Sequence, residues 1–215
     1  MPRGDLFLIS APSGGGKTTL MKALEEKLGA ASNLAFVVSH TTRRPRAGEL
    51  PGVDYHFVDD QTFDRMLEDG EFLEWAPVHG HRYGTAAMEV VPLLERGLDV
   101  IHDLDVQGTE RLVQSLPEAH TVFVLPPSYA ELARRLSARA ADPPAEILVR
   151  LGVSLSEIER YERYDYVIIN RDLATAVEAL VGIVLEKRHR RVRMREAAES
   201  ILADFRAKLR SDSAG

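Results

Sequence analysis

Residues 11–18 read Ala-Pro-Ser-Gly-Gly-Gly-Lys-Thr and directly follow an apolar run at residues 6–9. This order of strand, glycine-rich turn, Lys-Thr and helix is typical of a phosphate-binding loop. Glycines let the backbone curl so that several N–H groups face one anion, and the helix N-terminus adds partial positive charge. The stretch therefore predicts a site for a nucleoside triphosphate. The alternative is a glycine-rich turn that merely precedes a helix.

The loop departs from the G-x-x-x-x-G-K-[ST] pattern at its first position, which is Ala11. Alanine adds only a methyl group, so we expect the loop to persist. Lys17 would reach the terminal phosphates, and the Thr18 hydroxyl is placed to ligate Mg²⁺. The expected ATP-binding residues in the loop are Ala11, Pro12, Ser13, Gly14, Gly15, Gly16, Lys17, Thr18 and Thr19.

Composition narrows the function classes. The chain has 215 residues and no cysteine, which excludes disulfides, thiol catalysis and thiolate metal sites. Its first residues run into an apolar strand without the layout of a signal peptide, and no apolar stretch approaches the ~20 residues that span a bilayer. The net charge of −6 argues against general nucleic-acid binding. We expect a cytoplasmic enzyme with no membrane or nucleic-acid partner.

Strand-like and helix-like segments alternate along the chain, which predicts an α/β fold with a parallel sheet covered by helices. The expected strands are residues 6–10, 35–39, 97–103, 121–125 and 166–170. The expected helices are residues 18–28, a helix capped by Ser128 that runs to Leu136, and much of the tail from 172 to 210. Ser128 and Glu131 have the spacing of a capping box.

Two regions interrupt this alternation and suggest how the single domain is organised. Residues 39–96 are rich in turn signals and aromatic residues, so we expect an inserted sub-domain there. A polar joint at 137–146 suits a mobile lid, assigned to residues 137–163. The core then comprises residues 1–38, 97–136 and 164–215.

A cluster of three arginines, Arg43, Arg44 and Arg46, follows the second expected strand. An arginine run is usually a solvated surface. Here it lies in an insertion beside a phosphate-binding loop, where phosphoryl transfer needs a second phosphate near the first. Guanidinium groups bind phosphate oxygens in pairs, and tyrosine hydroxyls donate single bonds, so this segment is a candidate acceptor site.

Several further motifs occur in order over residues 5–172. They are S-H-T-T-R-R-P-R-A-G (39–48), D-Y-H-F-V (54–58), F-L-E-W-A (72–76), Y-G-T (83–85) and D-L-D-V-Q-G (103–108). Together they resemble the guanylate kinase family, in its bacterial single-domain form. The resemblance implies the P-loop nucleoside monophosphate kinase fold, with a GMP-binding insert and an arginine-bearing lid.

By this resemblance, one group of residues would hold the GMP phosphate and another would read the base. The phosphate group is Ser39, Arg43, Arg46, Tyr55 and Tyr83, and the base group is Glu74, Thr85 and Asp105. Guanine presents N1–H and N2–H₂ as adjacent donors and O6 as an acceptor. Glu74 can accept from both donors and Thr85 can donate to O6, whereas adenine would leave the carboxylate unpaired. The alternative for Glu74 is a surface carboxylate.

Asp103 closes an apolar strand, which is the usual place for the acid that orients Mg²⁺ in P-loop enzymes. A strand-end acid can also cap the next helix, and that alternative stays open for Asp103. Asn170 matches a family position beside the adenine ring, or is a residue that ends a strand and begins a turn.

Three arginines match the lid arginines of the family by spacing: Arg135, Arg139 and Arg150. They would close over ATP and neutralise the transferred group. The chain departs from the family here, because the glycines beside the middle arginine are Ala138 and Ala140 and two prolines follow at 143–144. Loss of glycine and gain of proline should stiffen the hinge.

Three other features have no assigned role. Arg82 is an added cation, and His102 stands where an aliphatic residue is common in the family. The segment 187–195 is strongly basic. A solvated helix face is the simplest reading of that segment, with self-association or a nucleic-acid surface as the alternatives. The long C-terminal helix could pack against a second chain.

The resemblance implies Mg²⁺-dependent transfer of the ATP γ-phosphoryl group to GMP, and to dGMP, giving ADP and GDP in purine nucleotide metabolism. The expected catalytic residues are Lys17, Arg43, Arg135, Arg139 and Arg150. Two alternatives remain. One is a catalytically silent guanylate-kinase-like module that binds proteins. The other is a P-loop kinase for a different small phosphorylated acceptor.

Overall fold

The apolar run before the glycine-rich turn forms a strand, Leu6–Ser10, in which every residue is buried. Its side chains alternate between the two faces of a sheet, as strand geometry requires. Phe7 and Ile9 join one hydrophobic cluster, and Leu6 and Leu8 join another on the opposite face. A strand that is apolar on both faces belongs in the middle of a sheet covered by helices on both sides.

The structure is a computed structural model that describes residues 2–28, 33–78, 80–139 and 144–212. Its strands are β1 (Leu6–Ser10), β2 (Leu34–Phe36), β3 (His40–Thr41), β4 (His56–Phe57), β5 (Phe72–Val78), β6 (His81–Ala86), β7 (Asp99–Asp103), β8 (His120–Leu125) and β9 (Tyr166–Ile169). Its helices are α1 (Lys17–Leu28), α2 (Asp60–Glu68), α3 (Ala87–Glu95), α4 (Val106–Ser115), α5 (Tyr129–Arg139), α6 (Pro144–Ile158), α7 (Leu173–Arg188) and α8 (Arg191–Asp212).

The core sheet has five strands in the order β2-β7-β1-β8-β9, and every neighbouring pair is parallel. The predicted α/β fold with a parallel sheet is therefore confirmed. Helices α1 and α7 cover one face through Leu20, Leu24 and Leu180, and α3 and α4 cover the other. Parallel strands all end at the same edge, so β1 and β7 bring the glycine-rich loop and Asp103 together.

A second sheet of four strands, in the order β4-β3-β6-β5, is built from residues 40–86. Strands β5 and β6 form an antiparallel hairpin, and β3 joins the hairpin through β6. Arg82 now has a visible role: it forms ion pairs with Asp60 and Asp64 and its guanidinium lies 4.8 Å from the Phe63 ring centroid. It therefore ties the hairpin to α2.

Element boundaries differ from the sequence prediction in several places. The second strand ends at Phe36 rather than at residue 39, although the Val37 N–H still donates to the Ile101 carbonyl. The β7 strand begins at Asp99 rather than at 97. The capping box is half formed, because Ser128 Oγ accepts from the Glu131 N–H while the Glu131 carboxylate accepts from Arg134 and Arg135.

The C-terminal tail forms two helices, α7 and α8, and not one continuous helix. Part of its basic segment is structural, because Arg188 and Arg193 both pair with the buried Asp99 at 2.5 Å. Arg193 also pairs with Asp5. Buried carboxylates need such partners, since an unpaired buried charge is strongly unfavourable. Beyond Arg193, every described side chain of α8 is exposed.

Candidate functional site

The glycine-rich loop has the backbone conformation that its sequence predicts. Gly14 and Gly16 adopt φ values of +82° and +93°, a region that favours glycine. A Cβ atom on Gly16 would also lie 2.5 Å from Asn170 Nδ2. Ala11 at the first loop position is buried, and a Cβ on Gly15 would lie 3.0 Å from the Ala11 Cβ. Glycine at position 15 therefore makes room for the alanine.

Lys17 opens α1 and turns towards the end of β7. Its Nζ donates to the Leu104 carbonyl at 2.8 Å and lies 3.5 Å from Asp103 Oδ2. Asp103 does not cap the next helix. That cap is Asp105, which accepts from the Gly108 N–H at 2.6 Å. Asp103 is thus left at the loop, as expected of a P-loop carboxylate.

Residues from α5 and from the position just after β9 hydrogen-bond to the loop backbone. Arg135 donates to the Gly15 carbonyl at 3.2 Å and to the Asn170 carbonyl at 3.2 Å. The Asn170 amide also donates to the Gly15 carbonyl, at 3.1 Å. Glu131 accepts from Arg135 Nε at 2.7 Å and orients the guanidinium. Arg135 and Asn170 therefore hold the loop backbone in this structure.

Helix α6 approaches the loop at Ser13. Arg150 donates to Ser13 Oγ at 3.2 Å, Ser154 to the Ser13 carbonyl at 3.3 Å, and the Ser13 N–H to Glu157 at 3.2 Å. Burial raises the pKa of Glu157, with a smaller contribution in the same direction from the Asp105 charge. The Arg139 side chain and residues Ala140 and Pro143 lie outside the described part of the structure. The expected lid role of Arg139 stays a prediction.

A cavity of about 750 Å³ extends from the glycine-rich loop to the second sheet. Its lining includes Lys17 and Thr18 at the loop, residues 36–39, the residues Asp103 and Leu104 at the end of β7, and, from the insert, Glu49, Tyr55, Glu74, Ala76 and Tyr83. The predicted site residues on its wall are Lys17, Thr18, Ser39, Tyr55, Glu74, Tyr83, Asp103 and Asp105. Thr19 is exposed on α1 and lies away from this wall. The fold thus gathers residues separated by almost ninety positions around one cavity.

The donor set at the loop fits a cation that arrives with a substrate. No cluster of three or more His, Cys, Asp or Glu suited to a metal exists among the described residues. Thr18 offers one hydroxyl oxygen and Asp103 a carboxylate on the wall of the cavity, and both would be available to such a cation. Mg²⁺ prefers oxygen ligands, keeps several waters and often binds through substrate phosphates, so two protein ligands suffice.

On the second sheet, Arg43 is the centre of a network beside the cavity. Its guanidinium donates to both Glu49 oxygens at 2.9 Å and to the Tyr83 hydroxyl at 3.1 Å. It also lies 5.3 Å from the Tyr55 ring centroid. The hydrogen bonds to Glu49 raise the pKa of Arg43 and lower the pKa of Glu49. Arg46 is exposed, and its N–H donates to Glu49 at 2.8 Å.

The Tyr55 hydroxyl, on the insert side of the cavity, interacts electrostatically with Asp103 at the end of β7. Its pKa is raised to about 12, first by burial and then by the negative charge of Asp103. The tyrosine of the insert is therefore close enough to sense the carboxylate at the end of β7. Tyr55 and Tyr83 line the same cavity as Lys17. Arg43 and Arg46 line a separate pocket on the second sheet, and Arg43 is connected to the cavity through its hydrogen bond to the Tyr83 hydroxyl.

At the end of the cavity away from the loop, three buried polar side chains are linked by hydrogen bonds, beginning at Glu74 on the cavity wall. Glu74 is 7% exposed, and its Oε1 accepts from Thr85 Oγ1 at 2.6 Å. Thr85 is fully buried, and the same hydroxyl lies 2.7 Å from His102 Nε2. Burial raises the pKa of Glu74 to about 7 and lowers the pKa of His102 to about 4. The expected bond from Thr85 to guanine O6 stays a prediction, because the hydroxyl here serves Glu74.

Sequence reasoning assigned no role to three residues that the structure brings to the site: Glu49, Glu157 and His102. Glu49 carried a weak signal, since it follows Arg46 by three residues in a turn. His102 carried another, since it interrupts an apolar strand. Glu157 carried none, because only the packing of α6 places it near residue 13.

The combination of these features defines a class. P-loop nucleoside monophosphate kinases share one architecture. They have a glycine-rich loop at the end of the central strand, a carboxylate at the end of a neighbouring strand, and a second sheet that carries arginine and tyrosine. Glu74 is a buried acidic residue on the cavity wall that the second sheet provides.

Comparison with known proteins agrees with this class. The family model described as guanylate kinase matches residues 3–187. A guanylate kinase from Nitrosococcus oceani is 42% identical over 202 residues, which cover 94% of this chain and 98% of that protein. One from Sphingopyxis alaskensis is 46% identical over 192 residues, covering 89% and 86%. The crystal structure of guanylate kinase from Anaplasma phagocytophilum has a TM-score of 0.73 at 29% identity, covering 93% and 96%.

The chain belongs to the guanylate kinase family and is an enzyme of the nucleoside monophosphate kinase class. The family match ends at residue 187, so α8 lies outside it. In the described part of the chain, no helix has both the length and the apolar character needed to cross a bilayer.

Proposed function

We propose that the chain transfers the γ-phosphoryl group of ATP to GMP, giving ADP and GDP, with dGMP as a second acceptor. The observation that carries the proposal is the shared cavity, which has Lys17 at the loop end and Glu74 with Tyr83 on the wall of the second sheet. A donor and an acceptor bound to these two ends would lie in one cavity, close to each other. We place the reaction in the cytoplasm, where both nucleotides occur.

The transfer needs alignment and charge neutralisation rather than a dedicated base. The GMP phosphate is itself an anionic nucleophile, so no protein group has to remove a proton from it. Lys17 would contact the γ-phosphate, and Arg135 next to the lid, with Arg139 and Arg150 from the lid itself, would neutralise its charge. Thr18 and Asp103 would hold Mg²⁺, which supplies charge neutralisation at the phosphates when bound.

On the acceptor side, Arg43, Tyr55 and Tyr83 would hold the GMP phosphate together with Ser39 and Arg46. The Glu49 carboxylate now occupies both N–H positions of Arg43 that a phosphate would use. We infer that GMP competes with Glu49 for Arg43. Glu74 would accept from guanine N1–H and N2–H₂, and Asp105 lies near enough to Glu74 to affect its charge.

The deciding experiment is an acceptor panel with ATP and Mg²⁺, followed by ADP release. GMP and dGMP should react and AMP, CMP and UMP should react poorly. Removing Mg²⁺ with a chelator should stop turnover. Lys17→Ala should abolish ADP release, and Lys27→Ala should not, because Lys27 pairs with Glu178 at the surface.

The panel also tests the two alternatives. If no acceptor raises ADP release above background, the result would favour a catalytically silent protein-binding module. Preference for another phosphorylated acceptor would reject the guanine assignment while keeping the kinase class.

We also propose self-association through α8. Ile201, Leu202 and Phe205 form an apolar stripe that is 60%, 46% and 63% exposed. An isolated helix is marginally stable in water, so such a stripe favours a packed partner. We propose that the partner is α8 of a second copy of this chain, because antiparallel pairing of the two helices would place Glu199 opposite Arg206.

Sedimentation measures this association directly. The chain should sediment as a dimer, and Ile201→Ser with Phe205→Ser should sediment as a monomer. Met88→Ser, at a residue that is 69% exposed on α3, is the control and should leave the dimer intact. A monomeric parent chain would reject the proposal.

A further inference from the structure

Three buried side chains form a line that leads away from the cavity: Glu74 on β5, Thr85 on β6 and His102 on β7. Only Glu74 lines the cavity. Thr85 and His102 are both 0% exposed. Hydrogen-bonding distances of 2.6 Å and 2.7 Å connect the three. No part of the proposed phosphoryl transfer uses His102.

The hydrogen positions follow from counting donors. An ionised Glu74 can only accept, so the single Thr85 hydrogen must point to Glu74. The Thr85 oxygen must then accept from His102, which requires the proton on Nε2. His102 Nδ1 is buried and makes no hydrogen bond of normal geometry among the described residues, although the Val37 backbone lies close enough to raise the pKa of the ring. The Nε2–H tautomer therefore follows from the Thr85 donor count and not from Nδ1.

We propose that His102 is a positioning residue for purine selection. It donates to Thr85, keeps the Thr85 hydrogen on Glu74, and thereby holds the Glu74 carboxylate as an acceptor on both oxygens. This inference rests on the proposed function, because it concerns how the GMP site chooses its base.

The protonation state of Glu74 decides which purine it matches. An ionised carboxylate accepts twice and fits the adjacent N1–H and N2–H₂ donors of guanine. A protonated carboxyl group has one donor and one acceptor, which fits adenine, where N1 accepts and N6–H donates. Loss of the proton-donating chain behind Glu74 would therefore weaken the distinction between GMP and AMP.

The surroundings of Glu74 make this choice sensitive near neutral pH. Burial raises its pKa to about 7, and the nearby Asp105 charge acts in the same direction. The hydrogen bond from Thr85 and the Arg111 charge lower the pKa. Of these contributions, the Thr85 bond is the one that His102 controls. In a chain of hydrogen bonds, each member strengthens the next, so removing the last donor weakens the bond to Glu74.

The first test compares two substitutions of nearly equal size. His102→Leu removes the donor, and His102→Gln keeps an amide N–H that can reach the Nε2 position. We expect His102→Leu to lower the GMP-over-AMP ratio of kcat/KM at pH 7 by about fivefold. It should also move the midpoint of the pH profile of KM for GMP upward by roughly half a unit, since Glu74 must be ionised to bind. His102→Gln should restore both, and KM for ATP should stay constant.

The results separate the possible roles. Equal selectivity and equal midpoints in the parent and in His102→Leu would overturn the inference. A merely structural role would lower thermal stability and change both KM values without moving the midpoint. If the parent chain does not phosphorylate GMP, the proposed function fails first, and the tautomer measurement below still stands alone.

The second test needs no variant and does not depend on folding of His102→Leu. Nitrogen-15 NMR of histidine-labelled parent protein distinguishes a protonated from a bare ring nitrogen. The inference requires a protonated Nε2 and a bare Nδ1 in His102. The reverse tautomer would overturn it, because Thr85 would then donate to His102 and not to Glu74.

Discussion

Arg43 and Arg82 are both cations on the second sheet, but they have different surroundings and therefore different roles. Arg43 bonds to Glu49 and Tyr83 beside the cavity, and its side chain is 10% exposed. Arg82 pairs with Asp60 and Asp64 on α2 and does not line the cavity. Ion pairs between exposed partners contribute little to stability, whereas a largely buried guanidinium holds its neighbours firmly. Burial and partners, not residue type, separate the two.

Glu74 carries the most direct prediction at this scale. Glu74→Gln replaces one acceptor oxygen with a donor, so one guanine N–H would face another N–H. We expect kcat/KM for GMP to fall about 100-fold, because hydrogen bonds to charged groups contribute about 1.5–3 kcal/mol and the unpaired donors add to the loss. KM for ATP should change little. Steady-state kinetics with each substrate varied in turn measures both, and an unchanged GMP-over-AMP ratio would reject the base assignment.

The glycine-rich loop and its following helix work as one element, because the backbone itself forms the anion site. Gly16 has a positive φ and contacts Asn170 closely. Arg135 and Asn170 both hold the Gly15 carbonyl. The element therefore has little freedom to accept a side chain at Gly16.

Gly16→Ala tests this constraint. Alanine would be strained at this φ and its Cβ would displace Asn170, so we expect KM for ATP to rise at least tenfold while GMP binding, measured by calorimetry, stays unchanged. Gly182→Ala in α7 is the matched control, since a Cβ there meets nothing within 4 Å. That variant should gain about 0.5–1 kcal/mol in helix stability and keep its activity. Equal ATP kinetics in both variants would contradict the prediction.

Two carboxylates, Asp99 and Asp5, pair with arginines at the junction of α7 and α8, and Asp99 is the more deeply buried. Asp99 has 1% of its side chain exposed and pairs with Arg188 and Arg193. Asp99→Asn would remove the charge that both guanidiniums face. We expect a loss of about 3 kcal/mol in the free energy of unfolding, because breaking a buried ion pair leaves uncompensated charge.

Chemical denaturation of the full chain measures this loss. Glu118→Gln is the control: it removes an exposed pair with Arg3 whose side chains are 53% and 45% exposed, and it should cost less than about 0.5 kcal/mol. A loss of the same size in both variants would show that the α7–α8 junction does not depend on Asp99.

At the scale of the whole molecule, the two sheets form opposite walls of one cavity of about 750 Å³. One end of the cavity lies at the glycine-rich loop, which follows β1 of the five-stranded sheet, and the other lies at Glu74 on β5 of the four-stranded sheet. A ligand that touches both ends would connect them. Binding to the native state raises stability in proportion to the logarithm of ligand concentration over Kd.

This geometry predicts the response to a bridging ligand. Guanosine and adenosine joined through a chain of phosphates should raise Tm more than an equimolar mixture of GMP and a non-hydrolysable ATP analogue. The reason is that the second end binds at a high effective concentration once the first is bound. Differential scanning fluorimetry at fixed ligand concentration compares the two. A smaller shift with the joined ligand would indicate that the two ends do not serve one reaction.

Much of this site was predictable from local sequence. The glycine-rich loop needs particular φ angles and a following helix, both of which are local properties, so residues 11–18 predicted their own structure. The alternation of apolar runs predicted the parallel sheet. The boundaries of β2 and β7 and the break between α7 and α8 were not predicted, because the tertiary partners of Val37 and Asp99 decide them.

The sequence by itself determined the backbone conformation of the glycine-rich loop and the α/β class, since glycine positions and apolar periodicity are local properties of the chain. Only the tertiary structure decided that Glu49 faces Arg43, that Asp105 rather than Asp103 caps α4, and that His102 lies behind Thr85. Those relations join residues from different strands and loops. Hydrogen bonds of this kind depend on distances that form only when the sheets pack.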